Sequence, residues 1–465
     1  MFFTLILLQT ALYFALAEHS YDIKWLDVPL DHFTFSSNKT FKLRYLVTTK
    51  HHIKGGPVLV YTGDEADIEL FAKNTGFIHD VASVLDSLVV FVEHRYYGQS
   101  MPFGNQSLRT PENMKYLSTS QALADFAYVI EELRKEYFKS MISNDTFPFV
   151  ALGGSYGGML AAWLRMKYPT SVCGAVAASA PIWYFSNQVP CEKFYQKVTD
   201  VFETYGGDEC VDVIKMSWKI IRNLTKEEKG RLTLSKSWSL CHNISSTEID
   251  KLVDWLSDIY VNLAMANYPY PSKFLQPLPA FPVRVFCNKL YGANTNDTRT
   301  LLEVLNQAFQ IYTNYSGQLK CHDVNSSADD SRKRAWRYQV CTELVMPLCS
   351  TDADMFENAK WDLKRYSEKC YRDVGVWPWR PDWIVQEYGG KNLRYFSNIV
   401  FSNGLMDPWS VGGVLANVSS NILAVTIPRA AHHVDLRDSD LADDNFVVQA
   451  RKFHIRAIRK FLNIN

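Results

Sequence analysis

The residues of this 465-residue chain best suited to covalent chemistry are one serine among glycines and an aspartate and a histidine far downstream. Ser155 sits in Gly153-Gly154-Ser155-Tyr156-Gly157, a G-x-S-x-G pattern. A serine hydroxyl attacks a carbonyl carbon only if a base takes its proton and an acid orients that base. Asp407, in Leu405-Met406-Asp407-Pro408-Trp409, and His432, in Ala430-Ala431-His432-His433, supply that pair in the order Ser, Asp, His. Asp407 alone would more readily be read as opening a turn before Pro408. Spacing does not separate His432 from His433. We take His432 as the base and His433 as a group behind it, with Arg437 one helical turn further on. The backbone N–H of Tyr156 and an N–H of the Gly63-Asp64 loop are the expected oxyanion donors. Met159 and Trp409 lie close in sequence to the nucleophile and the acid. They would wall a pocket for a small rigid apolar side chain such as proline.

These residues need elements that bring them to one place. Phe147–Gly154 reads as a buried strand, and Ser155 onward as a small-residue helix running to Tyr168. A turn this sharp needs glycine where a Cβ would strike the neighbouring strand. Pro57–Gly63 and Leu88–Glu93 are further buried strands, the first running into Asp64-Glu65-Ala66-Asp67 and the second into His94-Arg95. Phe41–Thr48 alternates as a half-exposed edge strand does, and residues 18–40 read as an irregular arm. A helix-length segment spans Phe71–Leu85, and a long helix starts at Ser118. Gly174–Ser179, Ser397–Ser402 and Asn421–Ile427 complete the strands, with a closing helix at Phe446–Leu462. Asp407 and His432 each follow a strand, as does Ser155. Alternating strands and helices predict a mostly parallel sheet with the site beyond its carboxyl ends. That order of catalytic groups is what an α/β-hydrolase requires.

Residues 181–380 break the alternation. Helical patterns dominate there (Glu192–Tyr205, Glu209–Leu224, Thr247–Asn267, Thr300–Tyr315), and most of the cysteines and sequons gather in it. The expected organisation is a signal peptide over 1–17, hydrolase core over 18–180 and 381–465, and an inserted, disulfide-stapled helical cap over 181–380. The acidic loop Asp64, Glu65 and Asp67 would either hold a cationic group or cap the next helix.

Zero formal net charge leaves no basic excess for nucleic acid or anionic membrane. Met1–Ala17 is apolar, ends in Ala15-Leu16-Ala17 and is shorter than the ~20 residues of a membrane span, so cleavage before Glu18 is expected. Sequons at Asn38, Asn105, Asn144, Asn223, Asn243, Asn296, Asn314, Asn325 and Asn417 agree with a secretory route. None of the nine cysteines has zinc-like spacing, so no metal or other cofactor is expected. An oxidising lumen would pair eight of them, and Cys173, in an apolar run, is the natural one left over.

Five motifs carry a family resemblance: Gly153–Trp163, Glu93–Gly98, Gln121–Ala127, Phe401–Gly404, and Asp407-Pro-Trp with Ala431–Arg437. Together they resemble the serine exopeptidase family of lysosomal Pro-X carboxypeptidase and dipeptidyl peptidase II, from about Asp31 to the C-terminus. Ala180–Trp183, Val261–Met265, Phe274–Ala280, Asn314–Gly317 and Cys341–Pro347 are more similar to the Pro-X carboxypeptidase branch. The resemblance implies Ser155, Asp407 and His432 as triad and a His433–Arg437 charge-relay extension. It further implies Met159, Met346 and Trp409 around a proline pocket, and cleavage after a penultimate proline at acidic pH. It also implies the bridges Cys191–Cys349, Cys210–Cys287, Cys241–Cys321 and Cys341–Cys370. Asp64 stands where the family has asparagine, Ala66 where it has glycine, and Leu405-Met406 replaces a more polar pair. The short stretch before Asp31 leaves room for at most a small propeptide.

The expected substrates are therefore proline-containing peptides, cut in a lysosomal or extracellular setting. A dipeptidyl aminopeptidase would use the same triad but hold an α-ammonium. A catalytically silent hydrolase-fold binding module is the alternative of another class. Whether a homodimer forms is left open.

Overall fold

The computed structural model describes residues 20–137, 148–294, 297–324 and 331–464. The expected signal peptide and the sequons at Asn144, Asn296 and Asn325 lie outside the described residues. Eight strands form one sheet, ordered β1-β2-β4-β3-β5-β6-β7-β8. They are β1 (Asp22–Pro29), β2 (Thr40–Thr48), β3 (Val58–Thr62), β4 (Leu88–Val92), β5 (Phe149–Gly154), β6 (Gly174–Ala178), β7 (Ile399–Gly404) and β8 (Ile422–Ile427). From β4 to β8 every neighbour is parallel, and β1 and β2 join antiparallel at one end. β3, β4, β5, β6 and β7 are buried along their whole length. A strand covered on both faces must be apolar throughout, which is why these runs show no alternation.

Two expectations change at the sheet's edge. Residues 22–29 are a strand rather than an irregular arm, and their pairing makes β2 an interior strand rather than the edge. The sequence hides β1 because Ile23 and Trp25 face solvent, 51% and 41% exposed, and only Leu26 and Val28 turn toward the core. The stretch Phe71–Leu85 also divides, into helices Ile68–Ala72 and Phe77–Leu85.

Between β6 and β7 the chain leaves the sheet for some 220 residues (179–398) and builds helices. The two helices expected over 192–224 are present within Lys193–Thr225, parted at Gly207 with φ 74° and ψ 167°. That left-handed backbone is open to glycine and strained for other residues. All four disulfides lie in this segment and join Cys191–Cys349, Cys210–Cys287, Cys241–Cys321 and Cys341–Cys370. Cys173 is free. The segment's far end docks on the core, where Tyr388 stacks on Trp163 with ring centroids 4.2 Å apart. No helix among the described residues is long and apolar enough to cross a membrane. Of the described sequons, Asn38, Asn105, Asn223, Asn243 and Asn417 are exposed and Asn314 is partly so.

A bridge closing a long loop removes chain entropy from the unfolded state. Replacing Cys210 and Cys287, which are 77 residues apart, by alanine should cost about 4 kcal/mol. Urea unfolding followed by tryptophan fluorescence would read that loss as a lower midpoint. An unchanged midpoint would show that the bridge adds nothing.

Candidate active site

β5 passes into the helix Ser155–Lys167 with no loop between them. The turn is made by Ser155 itself, whose φ is 57°. A non-glycine residue in left-handed backbone carries roughly 1–2 kcal/mol of strain, so the surroundings must hold it there. They do so by close packing. A Cβ on Gly153 would lie 2.2 Å from Gly157 O, and one on Gly157 would lie 2.7 Å from Thr62 O. The Thr62 hydroxyl donates to Gly157 O at 2.7 Å, tying the turn to β3. Ser155 is left partly exposed at the floor of a cavity of about 310 Å³.

His432 lines the same cavity. Its Nδ1 lies 2.8 Å from Asp407 Oδ2, and both side chains are buried. A carboxylate can only accept, so Nδ1 carries the proton and Nε2 is left as the base. The other Asp407 oxygen accepts the Trp409 backbone N–H at 3.0 Å, which fixes the carboxylate just past β7. The backbone of His432 is held from the inserted segment. Its N–H donates to Met265 O at 3.1 Å, and its carbonyl accepts from the Tyr268 hydroxyl at 3.1 Å. This is the arrangement that acyl transfer requires. In that chemistry Ser155 Oγ would bond to the carbonyl carbon as its proton passed to His432 Nε2. The C–N bond would then break as the imidazolium returned that proton to the leaving amine, and water would repeat the sequence on the acyl-enzyme.

Of the expected oxyanion donors, Gly63 is ruled out. Its N–H is committed to Val92 O at 2.9 Å, and the residue's contribution is close approach, since a Cβ there would lie 2.2 Å from that same oxygen. Asp64 and Tyr156 both line the cavity, and neither backbone N–H has a hydrogen-bond partner among the described residues. The next N–H, of Glu65, turns back to Asp64 Oδ1 at 2.9 Å. Burial, reinforced by Glu65, holds the Asp64 carboxyl well above the usual range. Asp67 takes the helix-capping role: it accepts from Glu69 N–H and pairs with Arg44 Nη2 at 2.6 Å.

Met159, Met346 and Trp409 are brought together on the cavity wall. The Trp409 indole N–H points at Met265 Sδ, 3.2 Å away, and its ring packs 4.6 Å from that of Phe194. His433 and Arg437 sit behind the base. The His433 ring lies 4.4 Å from the His432 ring and edge-on to Phe274. The Arg437 guanidinium lies over Tyr268 at 4.5 Å and reaches Ser272 and Asn74. Burial, then the charges of His432 and Arg437, push His433 well below its ordinary value, so it stays neutral. What joins it to His432 is ring contact and charge. No hydrogen bond links those two rings among the described residues.

Sequence reasoning missed the roof of the cavity. Asp258, Val261, Asn262 and Met265 form one face of the helix Ile249–Met265, and Arg332 and Trp336 one face of the helix Ser331–Val340. Their i, i+3, i+4, i+7 spacing was visible, and polar Asp258 and Asn262 on that face were the signal. What the spacing did not tell is which surface the face would meet.

Residues 28–454 match the family model of serine carboxypeptidase S28. The chain belongs to that family. It is 46% identical to lysosomal Pro-X carboxypeptidase of Pongo abelii, over 95% of this chain and 88% of that protein. The same figures hold for the Homo sapiens protein of that name. It is 36% identical to prolyl carboxy peptidase like protein 5 of Caenorhabditis elegans, over 96% of this chain and 91% of that one. With the family shown, this S28 chain is a serine-type peptidase on an α/β-hydrolase fold.

Because Asp407 sets the tautomer of His432, Asp407→Asn should lower kcat by about 10³–10⁴ while KM changes little. Steady-state kinetics of the folded variant check this. A kcat within tenfold of the unaltered enzyme would remove Asp407 from the triad.

Proposed function

We propose that this enzyme releases the C-terminal residue of peptides whose penultimate residue is proline, through an acyl-enzyme on Ser155. The observation that carries this reading is a single cavity holding Ser155, the Asp407-oriented His432, the apolar wall of Met159, Met346 and Trp409, and Arg332. The wall suits the flat, rigid proline ring preceding the scissile bond. Arg332 is the one arginine or lysine among the cavity-lining residues, and it supplies what a free terminal carboxylate needs. Segment 181–380 then acts as a cap, closing the cleft against longer chain beyond the leaving residue. His433, kept neutral with Arg437 behind it, gives the base a fixed electrostatic surround.

Three carboxyls on the same cavity, Asp64, Glu65 and Asp258, favour a second reading, in which a dipeptidyl aminopeptidase holds an α-ammonium. Electrostatics in acid weighs against it. Asp258 is exposed to solvent at the cavity rim, yet the protein massed around it and the nearby Asp254 charge push it up to about 6. Burial and the neighbouring Glu65 raise Asp64 well above its usual range. Both lose charge in an acidic lumen, whereas a guanidinium keeps its own. The cavity is therefore best suited to an anionic end group at low pH, which fits a secretory route ending in the lysosome or outside the cell.

An N-blocked X-Pro-Phe peptide should be cleaved, and its C-terminal amide and a free-amine X-Pro amide poorly. Arg332→Met should raise KM for the free acid about 10–100-fold, the worth of a charge-assisted hydrogen bond, and leave the amide unaffected. Activity confined to the free-amine substrate would transfer the assignment to the aminopeptidase. As pH rises through about 6, ionising Asp258 should weaken carboxylate binding and raise KM, and Asp258→Asn should remove that rise. Initial rates across a pH series give both numbers.

A further inference from the structure

Tyr156 follows the nucleophile, and its backbone N–H is one of the two open donors beside it, yet its side chain does none of the chemistry above. The ring runs down from the cavity into a buried polar cluster where the inserted segment meets the core. Its hydroxyl lies 3.1 Å from His94 Nε2 and 3.1 Å from Thr119 Oγ1, and it accepts from Gln339 Nε2 at 2.8 Å. His94 Nδ1 donates to Arg95 O at 2.7 Å, and burial pushes this imidazole down to about 4. His94 is therefore neutral, and its Nε2 accepts the tyrosine proton. The Gln339 carbonyl accepts from the Tyr97 hydroxyl at 2.6 Å, so the fully buried Gln339 is bonded to the core at both ends of its amide.

Glu343 closes the cluster. Its Oε1 accepts the Thr119 N–H at 2.7 Å, the Thr119 hydroxyl at 2.9 Å and Gln339 Nε2 at 3.2 Å. The Gln339 amide thus stands between two acceptors, the Tyr156 hydroxyl and Glu343. Two cavity-wall residues hang from the same short piece of chain. Trp336 packs with its ring 5.4 Å from that of Tyr156, and Met346 follows Glu343 by three residues.

We infer that Gln339 and Glu343 are positioning residues for the acyl-transfer step: they clamp the Tyr156 ring from the cap, fix its N–H beside Ser155, and slacken when Glu343 loses its proton. An ionised Glu343 tightens on the Thr119 donors it already holds and pulls the shared Gln339 amide toward itself, lengthening the bond from Gln339 Nε2 to the Tyr156 hydroxyl. The other titratable groups facing Glu343 do not take over this role. Burial raises Tyr97, Tyr156 and Tyr388 well above the phenol range and Tyr338 to about 12. Glu387 is paired with Lys167 at 2.8 Å. Glu343 itself, surrounded by protein though partly accessible, is pushed up by desolvation to about 7. Holding a proton that the unfolded chain would release, it favours the assembled interface below about 4.5 and loses that contribution as pH rises through about 7. The clamp is thus tight in acid and loose above neutrality, and this deepens the carboxypeptidase reading by naming what regulates its site.

The inference rests on the acyl-transfer reading of Ser155 but not on the preference for proline, so labelling by a serine-directed fluorophosphonate tests it. Rates would be measured from about pH 5 to 8.5 for the unaltered enzyme, Glu343→Gln and Gln339→Leu, each normalised to its own rate at the acid end. Thermal unfolding of each variant confirms that it is folded. The unaltered enzyme should lose about tenfold above neutrality, and Glu343→Gln should lose that fall. Gln339→Leu should label about tenfold more slowly at every pH, with peptide kcat reduced and KM little changed. If Glu343→Gln keeps the unaltered profile, or Gln339→Leu labels at the unaltered rate, the clamp is refuted. If the unaltered enzyme takes no label at all, the acyl-transfer reading fails first.

Discussion

The site depends on holding one serine in a backbone conformation that serine does not favour. At φ 57°, Ser155 turns the chain from strand to helix within one residue. Only a right-handed or extended backbone is comfortable for a side chain with a Cβ, so the turn survives because its neighbours leave nowhere else to go. Gly153 packs on Gly157, Gly157 on Thr62, and Gly158 within 2.8 Å of Ala178 O, measured from the Cβ each would carry. Three strands of the sheet thus meet the elbow from below. The strain is repaid in geometry, since the same turn aims the hydroxyl and the next N–H at one point above the sheet.

The two groups proposed to act with Ser155 are held from two sides. Asp407 and His432 come up from β7 and the turn after β8, as the parallel sheet dictates. Their precise placement is shared with the inserted segment, where Met265 and Tyr268 hold the backbone of His432 and the cap helices roof the cavity. This division of labour has a consequence for energetics. Core packing fixes Ser155 whatever the inserted segment does, while His432, the cavity wall and the Tyr156 ring all touch that segment. Four disulfides within the segment make that seating a property of a stiff body rather than of separate loops.

Much of this was legible from local pattern. Buried strands are continuous apolar runs, and the sharp turn needs glycines at fixed offsets, so Ser155, the parallel sheet and the ordered aspartate and histidine could be read without coordinates. The disulfide partners were not legible from spacing and came from family resemblance. What stayed hidden has one physical character. β1 puts apolar side chains on both faces, and its place in the sheet is set by backbone pairing with β2, which side-chain patterns do not report. Gly63 is an acceptable donor until β4 is seen to take its N–H. Arg332, Met265, Gln339 and Glu343 act across contacts as distant as Tyr97 to Gln339, 242 residues apart, where no local period reports on the partner.

The account's central claim is that acyl transfer occurs on Ser155 between the N–H groups of Tyr156 and Asp64, with His432 as base. A crystal structure of the enzyme inactivated by a peptidyl-proline phosphonate tests it most directly. The account predicts a covalent bond to Ser155 Oγ, the proline ring against Met159, Met346 and Trp409, and a phosphonyl oxygen about 2.7–3.1 Å from both N–H groups. An adduct on another residue, or on Ser155 with that oxygen turned away from both donors, would contradict it.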